Sequence, residues 1–342
     1  MNWILRSKTA PLWVSVLCFA LSLGSTSRAT AQEGTASGSV EIIVPWGAGG
    51  GADQLARETA KLLQRVNMSA KVTNISGRTG NAGMEKFLAS PSDGRLVSVL
   101  TAETYCLLAY ANPGWKPADV VPLAIMIRQP SAFFLPTSGR FKSWNEFEVE
   151  ARHKPRSLRV AISGLGSPDY LMLQQLSLKG IQLTPVPFEN PEQRYQAVLN
   201  GQADALYEQP ADVATLLQSK QLQPVLFLAS ARIPAFKDVP VSSELGYGNG
   251  LPQFRAIVAK VGTDPQRVKA LSDALDQIAG TPEFKAFLKD QLAIDGSYIP
   301  AKGAPAFLQQ ALKEMKQIVD TLPLHAQHIW EGQSVSEYIQ PF

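Results

Sequence analysis

Two cysteines and three histidines are all that this chain of 342 residues contains, and both scarcities exclude chemistry. Cys18 lies in an N-terminal apolar run expected to be removed, so Cys106 stands alone and no intrachain disulfide can form. Cys106 has no histidine partner in a recognisable nucleophile motif and reads as a small buried apolar residue. His325 and His328 have a spacing that helical metal sites use, but no carboxylate or third histidine completes a set, so a surface or packing role is expected. Neither G-x-S-x-G nor G-K-[ST] occurs, which removes the hydrolase nucleophile elbow and the Walker phosphate loop. Heptads, tandem repeats and low-complexity tracts are missing as well. No acid, base, nucleophile and metal ligand converge in a pattern that predicts an enzyme.

Excess charge is also lacking. The formal charge is +3, and Arg6, Lys8 and Arg28 of the leader account for it, leaving basic and acidic side chains in equal number. No basic field remains to attract nucleic acid or an anionic membrane. The one long apolar run, Pro11 to Gly24, is too short to span a bilayer. Basic residues precede it and Ala29-Thr30-Ala31 follows, the small-x-small pattern of a signal peptide cleaved after Ala31. Cys18 sits inside the run after Leu17, which argues against a lipoprotein anchor. An exported, periplasmic protein is expected. What remains is too long for one compact core, and two domains are expected.

What is present alternates strand and helix. Val40–Val44 reads as a buried strand, and Asp53 to Val66 as a helix with Leu55, Thr59, Leu62, Leu63 and Val66 on one side. Lys71–Ile75 is a second strand, followed by a glycine loop at 77–83, a short helix to Ala89, a Pro91–Gly94 turn and the strand Leu96–Leu100. Leu123 to Leu135 reads as one long strand carrying the chain between domains. Further strands are expected at Leu158–Ile162, Ala203–Tyr207, Val225–Ala229 and Phe254–Ala259. Ser167-Pro168, Asn190-Pro191, Asp264-Pro265 and Thr281-Pro282 each place a capping side chain before a proline suited to the first helical position. A last helix is expected from Pro305 to Leu322.

The loop after the first strand carries most of the functional information. Gly47, Gly49 and Ala52 satisfy G-x-G-x-x-A, the dinucleotide fingerprint, but Pro45 and Trp46 separate the strand from the turn. The second strand also ends Asn74-Ile75-Ser76, without the acid that would hold a ribose. No cofactor is expected. A plain turn explains one or two glycines, with Asp53 as a helix cap. It does not explain Gly47, Gly49, Gly50 and Gly51 together with a second loop, Gly164-Leu165-Gly166-Ser167. Each loop leaves backbone N–H groups bare at a helix N-terminus, where the dipole favours negative charge. Two such loops facing each other across a cleft would clamp an anion.

These residues resemble a known family. Val44 to Asp53 looks like the P-[FW]-x-x-G-G-x-x-D loop of the Bug-type extracytoplasmic receptors, the solute-binding components of tripartite tricarboxylate transporters. In order there follow Gly77–Gly83 (similar to G-x-x-G-N-x-G), Pro91–Gly94 (P-x-D-G), Gly164–Ser167 (G-x-G-S), Gly201–Asp204 (G-x-[VA]-D) and Val239–Gly246 (V-P-T-x-x-E-x-G). The resemblance implies an α/β Venus-flytrap fold of the periplasmic-binding-protein type. Each domain would be a mainly parallel sheet flanked by helices, with two interdomain crossings. Domain 1 would comprise 32–130 and 252–342, and domain 2 would be 131–251.

The implied function is capture of a small organic carboxylate for membrane permease subunits, by a monomer. A sensor presenting its ligand to a membrane histidine kinase, or an exported α/β enzyme, are the alternatives. Carried over residue by residue, the site would use Trp46, Ala48, Gly49, Gly50 and Asp53, with Thr101 after the third strand. Gly166, Ser167, Tyr170 and Glu208 would come from the second domain. Trp46 either packs on the ligand or covers the hinge. Asp53 reads chiefly as a cap, Ser167 as cap and ligand neighbour together, and Tyr170 as ligand contact or packing. Four departures from the family pattern stand out: Gly51 in place of a frequent proline, Tyr170 near a position often held by histidine, Phe254-Arg255-Ala256-Ile257 in place of a tryptophan-bearing strand, and Glu103-Thr104-Tyr105 in a loop usually rich in small polar residues. Glu103 reads as a solvated loop residue, but in the cleft it would repel a dicarboxylate and favour an ammonium or amide.

Overall fold

The computed structural model describes residues 39–109, 111–251 and 253–322. The expected signal peptide and the His325/His328 pair lie outside them. None of the described helices is long and apolar enough to cross a membrane.

The chain begins with β1 (Val40–Val44), α1 (Gly51–Leu63), β2 (Ala70–Asn74), α2 (Asn81–Leu88), β3 (Leu96–Thr101) and α3 (Ala102–Cys106). α1 starts two residues before Asp53 and buries Leu55, Ala56, Thr59, Leu62 and Leu63. β4 (Val120–Gln129) and β5 (Ser131–Pro136) follow. The single strand expected from Leu123 to Leu135 is therefore broken at Pro130, which has no N–H to continue a ladder, and its halves enter different sheets.

Next come α4 (Trp144–His153), β6 (Arg159–Ile162), α5 (Pro168–Leu178), β7 (Thr184–Pro187), α6 (Pro191–Leu199), β8 (Ala205–Glu208), α7 (Ala214–Gln218) and β9 (Leu222–Leu228). The chain then returns as β10 (Gln253–Lys260) and closes with α8 (Pro265–Ala279), α9 (Pro282–Asp290), β11 (Ile299–Pro300) and α10 (Ala304–Val319). Ser167, Asn190, Asp264 and Thr281 each cap their helix through the side chain ahead of a proline, as expected. The helix α4 was not anticipated, although its signal is local. Ser143 caps it by accepting from the Glu146 N–H, and the Glu146 carboxylate reaches back to the Lys142 N–H. β7 was missed because it carries two prolines, tolerated there because it is an edge strand.

The strands form two sheets, ordered β11-β4-β10-β3-β1-β2 and β7-β6-β8-β5-β9, in a two-domain α/β fold. Both are mixed rather than mainly parallel. β1, β2 and β3 run parallel, as do β6, β7 and β8, but β10 is antiparallel to β3 and β4, and β5 to β8 and β9. The reason is the double passage between sheets: a strand arriving from the other lobe enters against the βα direction. Register then sets the site. Arg255, near the start of β10, lies opposite Thr101 at the carboxyl end of β3.

The core has a first-lobe cluster including Leu55, Leu62, Ile257, Leu275 and Phe284. A second-lobe cluster includes Phe134, Leu206 and Phe227. A larger one joins Tyr105 and Phe254 to Tyr170, Leu171 and Phe133 across both lobes. Full burial of each such side chain contributes about 1.5–3 kcal/mol. Cys106 is fully buried in that cluster, where burial pushes its thiol well above the ordinary range.

Candidate functional site

Ligands of open α/β sheets bind beyond the carboxyl ends of their parallel strands, and here those ends from both sheets surround one cavity. The first lobe contributes Trp46, Gly50, Gly51, Ala52, Thr101, Glu103 and Arg255. The second contributes Ser163, Pro191, Arg194, Glu208, Gln209 and Asp212. The cavity volume is about 30 Å³, room for one or two waters, because the lobes touch beside it.

The loop after β1 is held by Asp53. From the first turn of α1 its Oδ2 accepts from the Gly49 N–H at 2.9 Å and from Arg57 Nε at 2.8 Å, while Oδ1 accepts from Asn74 Nδ2 at 3.0 Å. Although burial alone would raise it, the hydrogen bonds from Arg57, Gly49 and Asn74 hold its carboxyl below the usual range. Gly49, with φ +87°, makes the turn that glycine allows. Gly50 is the N-cap of α1, with no side-chain cap, so this helix end keeps bare N–H groups at the cavity wall. Trp46 is buried, and its indole N–H donates to Thr101 Oγ1 at 3.0 Å.

Of the residues expected in the site, Trp46, Gly50, Thr101 and Glu208 line the cavity. Ala48 and Gly49 lie exposed on the turn beside it. Asp53 is buried beneath that turn. Gly166 and Ser167 are buried and are not among the residues lining the cavity. The Ser167 hydroxyl donates to Gly164 O at 2.7 Å and accepts from the Tyr170 N–H, so both its functions are local. Tyr170 is buried in the cluster that joins the lobes. The two glycine loops are not in contact at their glycines. Gly47 and Gly50 instead lie against Asn190 and Pro191 at the start of α6. Gly164 lies against Thr79, whose N–H donates to Glu189 and whose hydroxyl donates to Leu165 O. The loop at 77–83 is thus the one that meets Gly164–Ser167.

Charge is denser here than the sequence suggested. Arg194 Nη2 donates to the Glu208 carboxylate, which also accepts from Tyr195 OH and the Gln209 N–H. Arg255 reaches from β10 to Gln129 with Nη1 and, with Nη2, to Asp212 and Gln209 of the other lobe. Both ion pairs are almost fully buried. Glu103 is half-buried on the cavity wall rather than solvated on a loop. Burial raises its carboxyl, with Arg255 opposing. Burial also pushes Asp212 up to about 6 and the adjoining Asp169 up to about 7. Arg194, Gln209, Asp212 and Ser163 went unrecognised in the sequence, where none sits in a motif. The available signal was the pair of departures at Gly51 and Arg255.

The chain is 24% identical over 246 residues to the protein BugT of Bordetella pertussis, covering 70% of this chain and 75% of that one. The solved structure of MatC from Rhodopseudomonas palustris with bound malate superposes with a TM-score of 0.75 at 22% identity, over 82% of this chain and 98% of that one. Another R. palustris protein, solved with adipate, gives 0.77 at 22% identity over 84% and 97%. These likenesses establish a shared fold. The model of the tripartite tricarboxylate transporter family receptor matches residues 52–324. That span runs from the first turn of α1 to beyond α10 and takes in both sheets except β1. The chain therefore belongs to the tripartite tricarboxylate transporter receptor family, a family of solute receptors rather than enzymes.

Proposed function

We propose that this chain is a periplasmic receptor that captures a small organic carboxylate between its lobes and delivers it to the membrane subunits of a tripartite tricarboxylate-type transporter. The observation that carries this reading is the uncapped N-terminus of α1 at the cavity wall, with the Arg194 guanidinium on the facing wall. Backbone N–H groups at a helix start and a buried guanidinium are both donors suited to a carboxylate. The relatives solved with malate and adipate support the same reading.

In this proposal Trp46, Gly50 and Thr101 contact the ligand from the first lobe. Ala48, Gly49 and Asp53 shape its loop. Gly166, Ser167 and Tyr170 support the second lobe, and Glu208 holds Arg194 in place. The moving bodies are 32–130 with 252–342, and 131–251, hinged near Pro130 and near Leu251. Micromolar affinity needs about −8 kcal/mol, within reach of several charge-assisted hydrogen bonds of about 1.5–3 kcal/mol each after ordering costs.

A thermal-shift screen of the mature protein against mono-, di- and tricarboxylates, aromatic acids, amino acids, sugars and polyamines tests it, because a ligand that binds only the folded state raises the melting temperature. At least one carboxylate should do so. If only an uncharged sugar or a polyamine does, the carboxylate reading is wrong.

A further inference from the structure

The hydrogen-bonding capacity that the cavity leaves unused is of two kinds, and the two call for opposite ends of one molecule. Among the described residues, Arg194 Nε is a buried donor with no acceptor, and Asp212 Oδ1 is a buried acceptor with no donor. Both residues line the cavity and are more than nine-tenths buried. A ligand that satisfies both must present an acceptor and a donor.

The charges decide which donor. Three carboxylates (Glu103, Glu208, Asp212) and two guanidiniums (Arg194, Arg255) face the same space. Arg194 is bound to Glu208 and to Phe188 O. Arg255 is bound to Asp212, Gln209 and Gln129. Freeing either for a ligand would strand a buried carboxylate, which is costly. Glu103 is the acid left over. Among the described residues it forms no ion pair; the charges that act on it are Arg255, already committed, and Glu208, Asp169 and Asp212, all of its own sign. A second ligand carboxylate would add negative charge to a site that already has an acid in excess. A protonated amine would supply the missing cation.

We propose that the cleft selects a zwitterionic aminocarboxylate over a dicarboxylate of the same chain length, with Glu103 and Asp212 Oδ1 receiving the ammonium group. This rests on the carboxylate-receptor reading above and names the ligand class within it. The carboxylate end would meet the start of α1 and Arg194 Nε, and the ammonium would lie between Glu103 of one lobe and Asp212 of the other. Both lobes are then needed to hold one small molecule. Glu103 is the residue that determines specificity, because Asp212 is tied to Arg255 whichever ligand binds.

The test is calorimetric titration of the mature protein with length-matched pairs: 4-aminobutyrate against succinate, and 5-aminopentanoate against glutarate. The aminocarboxylate of a pair should bind at least about tenfold more tightly, the scale of one uncompensated charge contact. Glu103→Gln is nearly isosteric at a half-buried position. It should weaken the aminocarboxylate about tenfold or more and strengthen the dicarboxylate, so that the preference closes or inverts. Succinate binding wild type as tightly as 4-aminobutyrate overturns the inference and leaves the receptor reading standing, as does a Glu103→Gln variant that shifts both ligands alike. If no carboxylate of any class binds, both fall together. Should the variant fail to fold, the wild-type ratios still decide.

Discussion

Gly51 and Arg255 compete for the same space. A Cβ on Gly51 would overlap Arg255 Nη2 and both carboxylate oxygens of Asp212. The two departures from the family pattern, a glycine where proline is frequent and an arginine on the return strand, are thus one structural change. The buried Arg255–Asp212 pair spans the lobes, and it fits because residue 51 has no side chain.

Gly51→Ala is therefore expected to cost about 3–5 kcal/mol, the range for disrupting a buried ion pair. Urea unfolding measures it. The same substitution in an Arg255→Met, Asp212→Leu background should cost under about 1 kcal/mol, since the obstruction is gone. Equal costs in the two backgrounds would show that Gly51 is needed for something other than the pair.

Gly50→Val addresses closure. A Cβ at Gly50 would lie 2.7 Å from Pro191 Cγ, across the cleft, and its backbone is extended rather than left-handed. Stability should change by less than about 1 kcal/mol, because no core contact is lost. The lobes should be held apart, so small-angle scattering would give a larger radius than wild type with saturating ligand. An unchanged radius with unimpaired binding refutes this contact as a limit on closure.

Asp53→Asn should destabilise by about 1–3 kcal/mol through loss of charge-assisted bonds to Gly49 and Arg57. The sign of its pH dependence follows from a carboxyl held below its usual range. Its contribution is present above about pH 4 and is lost as pH falls through the folded value. The cost of the substitution should therefore shrink in acid. A cost that grows below pH 4 contradicts the assignment.

Asp169→Asn should behave oppositely. Burial first, and then Glu103, push this carboxyl up to about 7, so the folded protein binds its proton more tightly than the unfolded chain does. That contribution is full below about pH 4 and is lost as pH rises through the folded value. Relative to wild type, the variant should gain at least about 1 kcal/mol between pH 4 and pH 8. A constant difference across that range excludes a buried, titrating Asp169.

Local chemistry was legible wherever it was self-contained. Ser167-Pro168, Asn190-Pro191, Asp264-Pro265 and Thr281-Pro282 specify helix starts by contacts within four residues, and all four are found. The bare start of α1 was legible for the same reason. Where an outcome depended on distant strands, reading along the chain fell short. Pro130 divides what resembled one strand because the second half finds β8 and β9 as neighbours. Glu103 resembled a solvated loop residue because nothing beside it in sequence reveals that β10 brings Arg255 to the same wall.

The sequence by itself determined the alternation of strand and helix, the caps, the glycine turn organised by Asp53, and the family pattern, all set by neighbours a few positions apart. Only the tertiary structure decided which loops meet across the cleft: Gly50 with Pro191, and Thr79 with Gly164. It also decided that Arg255, Asp212, Arg194 and Glu208 pair off and leave Glu103 without a counterion among the described residues. The physical reason is that buried charge is settled by whichever groups antiparallel register and lobe contact bring within hydrogen-bond reach, and those groups lie 14 to 126 positions apart.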